Sequence, residues 1–130
     1  MEILVLGGTR YFGIHLVNAL LREGHDLTIA TRGRQPDDFG NAVRRVQVER
    51  TSPESLRAAL SRLTFDVVYD NLAYCSNDVR ALLDVVHPGL YVMTSSLSVY
   101  ETLSFDMKEE GFDPLAHPLV WCNREDYGYN

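Results

Sequence analysis

The sequence predicts an α/β fold, a doubly wound parallel sheet with strand order 3-2-1-4-5, and three observations predict it. Short, continuously apolar runs of strand length recur along the chain, as at Ile3 to Leu6 and Leu90 to Met93, the pattern of strands buried on both faces. Apolar stripes at helical spacing separate them, so each strand returns to the sheet through a right-handed crossover. The first strand also opens into a glycine turn, Gly7-Gly8, directly ahead of the first helix. At 130 residues the chain reads as one domain, 1–130, long enough to bury a core.

The elements follow in order. Ile3 to Leu6 is the first strand. Phe12 to Arg22 is the first helix, with Phe12, Leu16, Val17, Ala19, Leu20 and Leu21 as its stripe and Gly24 where a helix ends. Leu27 to Ala30 is the second strand, closed by Thr31-Arg32-Gly33-Arg34. After a polar loop through Asn41, Val46 and Val48 mark a short third strand. Ser52-Pro53-Glu54-Ser55 starts a second helix, with Ser52 as N-cap and Pro53 in the first turn. Its buried face carries Leu56, Ala59, Leu60 and Leu63. Phe65 to Tyr69 is the fourth strand, ending at Asp70-Asn71. Ser76 or Asn77 caps a third helix bearing Val79, Leu82, Leu83 and Val86, which His87-Pro88-Gly89 stops. Leu90 to Met93 is the fifth strand. Glu101 to Asp113 is acidic and without period, and reads as a loop or lid.

Composition narrows the functional classes. The chain is 45% hydrophobic and 23% charged, with a net charge of -6, which counts against a nucleic-acid or membrane-surface binder. No apolar run approaches the roughly 20 residues of a membrane span. With no basic leader ahead of the first strand, a cytoplasmic location is expected. Cys75 and Cys122 form neither a disulfide framework nor a metal-ligand cluster, and His15, His25, His87 and His117 read as surface, packing or turn residues, so no metal is expected. Lys108 is the one lysine, and nothing places it for catalysis.

Strand, then Gly7-Gly8-Thr9-Arg10-Tyr11-Phe12-Gly13, then helix is the context that gives a glycine loop meaning. Gly7 allows the tight turn out of the strand, and Gly13 lets the helix pack closely. The helix N-terminus offers free N–H groups and a positive dipole end to a pyrophosphate. Arg10 departs from the pattern, standing where the middle glycine belongs; its side chain must point away from the diphosphate path, with the adenosine end in reach.

The run Val5 to Gly13 resembles the loop of the extended or atypical short-chain dehydrogenases/reductases, the NAD-dependent epimerase/dehydratase family. Its Gly-Gly-Thr-Arg is similar to the subgroup that includes the chloroplast stem-loop-binding proteins. The resemblance covers essentially the whole chain. It implies a Rossmann fold and an oxidoreductase, epimerase or dehydratase acting on a hydroxyl- or carbonyl-bearing small molecule, a sugar nucleotide among the candidates. It implies cofactor contacts from Gly7, Thr9, Arg10, Tyr11, Phe12 and Gly13, and from Leu72 and Ala73 after the fourth strand, where small Ala73 admits the cofactor ribose. For Asp70 and Asn71 a local turn is an equal reading. Glu49 stands in the place of a family aspartate near the adenine.

NAD enzymes usually place an acid at the end of the second strand. Here Thr31 holds that place, followed by Arg32 and Arg34. Guanidinium groups suit a 2′-phosphate through charge-assisted, bidentate hydrogen bonds, so NADP is expected in preference to NAD; otherwise these arginines are solvated loop charges.

Thr94-Ser95-Ser96-Leu97-Ser98-Val99-Tyr100 resembles the family's Ser-Ser-x-x-Val-Tyr strand end. Thr94 and Ser95 then border the cofactor, and Ser96 aligns with the serine that hydrogen-bonds the substrate oxygen. Taken alone, such a cluster is a turn. The family's acid/base is a tyrosine with a lysine four residues on, which lowers the tyrosine pKa and holds the ribose. Tyr127 is the preferred match, with Tyr129 as alternative, and the partner lysine then falls at position 131 or 133. If neither matches, both tyrosines pack or lie in a loop.

The expectation is therefore an N-terminal, inactive fragment, truncated before the later strands and the substrate domain. It should expose apolar surface beside the fifth strand and be capable of homodimer formation. A cofactor-binding sensor without chemistry and an RNA-binding relative are the alternatives; the acidic balance counts against RNA.

Overall fold

The computed structural model describes residues 1–100, 106–118 and 120–126, with Ser98 described by its backbone alone. Its elements are β1 (Glu2–Leu6), α1 (Phe12–Arg22), β2 (Asp26–Thr31), β3 (Val43–Gln47), α2 (Pro53–Leu60), β4 (Val67–Asp70), α3 (Ser76–Leu83) and β5 (Leu90–Met93). Single 3-10 turns lie at Gly40–Ala42, Leu97–Val99, Glu109–Gly111 and Arg124–Asp126. All four strand pairings are parallel, and the sheet order is β3-β2-β1-β4-β5. The expected α/β class and strand order are both present.

β1 shows why the central strands read as unbroken apolar runs. Its side chains alternate between two cores. Leu4 and Leu6 join Leu56, Leu60 and Leu82 of α2 and α3, whereas Ile3 and Val5 join Val17 of α1. Both faces are covered, so alternation of polar and apolar residues disappears. Each fully buried leucine contributes about 2 kcal/mol from area removed from water.

The helix signals were partly legible. Ser52 caps α2, its hydroxyl accepting from the Ser55 N–H (3.2 Å), with Pro53 in the first turn, a cap that contributes about 1 kcal/mol. α1 closes at Gly24 in a Schellman turn, with Gly24 N–H donating to the Leu21 carbonyl and His25 N–H to that of Leu20.

Three expected boundaries shift. β3 begins at Val43, and Val48 lies just past its end although buried. β3 pairs with β2 alone, and Arg44 and Arg45 are exposed, so an edge strand's polar residues hid its start. β4 begins at Val67, because Asp66 is bonded to Glu2 through its backbone and its carboxylate; Phe65 fills the α2–α3 core instead. α3 is capped at Cys75, without a side-chain bond. Ser76 does not cap: its hydroxyl donates to the Val120 carbonyl (2.9 Å) and accepts from the Cys122 N–H (2.8 Å). Asn77 does not cap either, donating to Asn123. Val86 lies beyond the helix yet remains in the core.

β5 pairs with β4 alone among the described residues; Leu90 and Met93, at its two ends and on opposite faces of the sheet, are exposed, as is Leu97 beyond it. Of the loop expected over 101–113, residues 101–105 lie outside the described residues; residues 106–113 are almost entirely exposed and contain one 3-10 turn. Among the described residues no helix is long and apolar enough to cross a membrane.

Candidate cofactor site

The carboxyl ends of the strands form one edge of the sheet, and the chain leaves β1 and β4 in opposite directions there, the switch point where such sheets bind ligands. Gly7 turns out of β1 at φ +81, a conformation that costs glycine little. A Cβ at Gly13 would stand 2.2 Å from the Gly7 carbonyl oxygen. Only glycine lets α1 approach the turn this closely. Gly13 N–H donates to the Arg10 carbonyl (3.0 Å), closing the loop.

Tyr11 precedes α1 at φ 49 and ψ -133, and its side chain is 83% exposed. A bulky residue at positive φ is strained backbone, the kind of conformation that functional loops retain. No side chain caps α1, and its first turn carries no acid. The positive end of the helix is uncompensated and borders a cradle whose space the glycines keep open, which suits an anion. Thr9 is half-buried, while Arg10 and Phe12 are exposed.

The β4–α3 loop forms the facing wall. Asn71 N–H donates to the Leu6 carbonyl (3.1 Å). The Leu72 side chain lies 3.0 Å from where a Gly7 Cβ would stand, with half-buried Ala73 next in the chain. Thr94 joins this wall, its hydroxyl donating to Asn71 Oδ1 (2.8 Å). Asn71 Nδ2 is buried and has no partner among the described residues, an orphaned donor at the switch point. The structure thus brings Gly7, Gly13, Leu72 and Thr94 together. Ser95 and Ser96 follow at the exposed end of β5, the Ser96 carbonyl accepting from Val99 N–H. Tyr127 and Tyr129 lie outside the described residues.

Arg32 and Arg34 follow β2 at the same edge. Their backbone is pinned, with Gly33 N–H donating to Thr31 Oγ1 and Gln47 Nε2 to the Arg32 carbonyl. Their guanidinium groups are exposed and, like that of Arg10, form no ion pair among the described residues. Glu49 accepts from Thr51 just past β3.

Sequence reasoning missed what holds the facing wall. Asp70 is not a simple turn residue. It is fully buried and paired with buried Arg50 (Nη2 to Oδ2, 2.6 Å). Its Oδ1 accepts from the Leu72 N–H (3.0 Å), the local turn bond, and its Oδ2 also accepts from the Tyr91 hydroxyl (3.0 Å). Arg50 Nη2 donates as well to the Asp78 carbonyl (2.7 Å). A carboxylate ending a doubly buried strand demands a partner, which is the signal that pointed inward. Nothing in the spacing named Arg50.

Burial first, and then the Asp70 charge, push the Tyr91 hydroxyl well above its ordinary value of 10.0. Burial likewise pushes the Cys75 thiol up. The folded state therefore holds these protons more tightly than the unfolded chain. The stability they contribute is intact below about pH 9 and is lost as pH rises past the unfolded values. Tyr91→Phe is expected to cost about 1 kcal/mol at pH 8 and to make the alkaline fall shallower. Urea unfolding between pH 8 and pH 11 checks this, and an unchanged slope refutes it.

Comparison with known proteins places the chain in a family. The sequence profile described as the NAD dependent epimerase/dehydratase family matches residues 3–105. The chain belongs to this family. A chloroplast stem-loop binding protein of 41 kDa from Arabidopsis thaliana is 32% identical over 87% of the chain and 34% of its own length. The 2'-dehydrokanamycin reductase of Streptomyces kanamyceticus is 30% identical over 64% of the chain and 24% of its own length. This epimerase/dehydratase-family chain thus spans about a third or less of the curated relatives it matches. In fold it resembles the dTDP-glucose 4,6-dehydratase of Bacillus anthracis, solved in complex with NAD, with a TM-score of 0.65 and 19% identity over 99% of the chain and 47% of that structure. The family binds nicotinamide dinucleotides, and the uncapped helix, open glycine cradle and orphaned Asn71 amide fit such a group.

Proposed function

We propose that this chain is the cofactor-binding part of an NADP-dependent reductase, epimerase or dehydratase acting on a hydroxyl- or carbonyl-bearing small molecule. The glycine cradle carries the reading: Gly13 against the Gly7 carbonyl, beneath an uncapped and acid-free α1 N-terminus. Gly7 to Gly13 would hold the pyrophosphate, and Leu72, Ala73, Thr94 and Ser95 would border the ribose. Arg32 and Arg34, without acidic partners among the described residues and with no acid at the end of β2, would hold the 2′-phosphate. The bound cofactor supplies or accepts a hydride. Ser96 would orient the substrate oxygen and Tyr127 would move its proton. The stem-loop binding relative brings an RNA reading with it, against which the net charge of -6 counts.

Calorimetric titration with NADP⁺ and NAD⁺ tests the proposal. NADP⁺ is expected to bind about tenfold more tightly, the value of one charge-assisted contact pair. Replacing Arg32→Ala and Arg34→Ala together should erase that difference while leaving NAD⁺ affinity unchanged. Equal affinities in the unaltered chain refute the NADP preference, and binding of neither refutes the cradle as a cofactor site.

A further inference from the structure

We infer that Arg124 is a positioning residue of the cofactor site, fixing the Leu72–Ala73 wall against the glycine cradle from a segment remote in sequence. The inference rests on the cofactor reading above. Arg124 Nη2 donates to the Leu72 carbonyl (3.0 Å), and its Nε pairs with Asp78 Oδ2 (3.0 Å). Its guanidinium also lies over the Tyr74 ring, 5.0 Å from the centroid. Both backbone polar groups of Leu72 are thereby held, its N–H by Asp70 and its C=O by Arg124.

The two holders belong to one closed ring. Arg50 bonds the Asp70 carboxylate and the Asp78 carbonyl; Asp70 bonds Leu72; Leu72 bonds Arg124; and Arg124 returns to the Asp78 carboxylate. Asp78 also accepts from the Tyr74 N–H (3.0 Å), so the loop between Leu72 and α3 has no slack. The segment delivering Arg124 is docked on α3 at several points. Ser76 bonds the backbone of Val120 and Cys122, Asn77 bonds Asn123, and Arg80 lies over the Trp121 ring. These bonds hold Arg124 in place independently of Leu72.

A planar fork is needed for this geometry, since one group must reach a carbonyl and a carboxylate at once. Without it the Leu72 carbonyl is released, and the side chain that packs on Gly7 loses its fixed orientation. The effect should fall on ligands that span the cradle and spare those that reach only the Arg32–Arg34 end.

The test titrates the unaltered chain, Arg124→Ala and Arg124→Lys with NADP⁺ and, separately, with adenosine 2′,5′-bisphosphate, which lacks the pyrophosphate and the nicotinamide half. Arg124→Ala should bind NADP⁺ about tenfold more weakly, and Arg124→Lys, which keeps the charge without the fork, should recover only part. Adenosine 2′,5′-bisphosphate affinity should be unchanged in both. If both ligands weaken equally, or NADP⁺ affinity is unaltered, Arg124 does not position the site and the inference is overturned. If the unaltered chain binds neither ligand, the cofactor reading fails and takes the inference with it.

Discussion

Gly13→Ala is expected to weaken NADP⁺ binding about a hundredfold and to destabilise the fold by about 3 kcal/mol, the upper end of overpacking costs. The added methyl would stand 2.2 Å from the Gly7 oxygen and 3.2 Å from both the Gly7 carbonyl carbon and Gly8 Cα. All three are backbone atoms, so no side chain can swing aside. Either α1 retreats from the sheet or the Gly7 peptide rotates. Rotation is blocked on the other side, where Leu72 already packs on Gly7. Retreat carries away the N–H groups that face the cradle. Gly8→Ala makes an informative contrast, because its methyl would meet the Val17 side chain at 2.9 Å rather than backbone. It should cost about 1 kcal/mol and leave affinity within a few-fold. Denaturant unfolding and calorimetric titration of both variants decide the matter. Equal losses in the two would mean that close packing in general, and not the approach of α1 to the turn, sets the site.

The parts of this molecule that could be read from sequence are those whose physics is local. The β1 run, the glycines at 7 and 13 and the stripe from Phe12 to Arg22 lie within one stretch of chain, and each constrains the next. Ser52 and Pro53 announce α2 for the same reason. Where partners are distant, reading failed in instructive ways. Ser76 carries the composition of a cap, yet its hydroxyl serves Val120 and Cys122, 44 and 46 residues away. β3 is an edge strand and needs no apolar residues at Arg44 and Arg45, so its start left no periodic signal. Asp70 was visible as an acid at a strand end, but Arg50, Asp78 and Arg124 lie in three other segments that only the sheet order brings together. The strain at Tyr11 was invisible, because a tyrosine gives no hint of positive φ.

Arg50→Leu should be among the most damaging substitutions in the chain, costing about 3–5 kcal/mol, because it leaves a buried charge without its counterion. Asp70 is 0% exposed, and its remaining donors, the Leu72 N–H and the Tyr91 hydroxyl, are both neutral. The pair itself is not a strong source of stability. Arg50 Nε and Nη1 are buried without partners among the described residues, so the folded chain already bears part of the desolvation cost of this guanidinium. Replacing both residues, Arg50→Leu with Asp70→Asn, removes the two charges together and keeps an acceptor for Leu72. The double variant should recover most of the lost stability in urea unfolding. Its cofactor affinity should not recover to the same extent, because the ring is open: without Arg50 nothing ties position 70 to Asp78, although Leu72 keeps an acceptor for its N–H and its bond from Arg124. Stability and affinity would then separate in one pair of variants. A double variant as unstable as Arg50→Leu alone would show that the ion pair supports the fold itself, whereas full recovery of both properties would show that the ring does not act on the site.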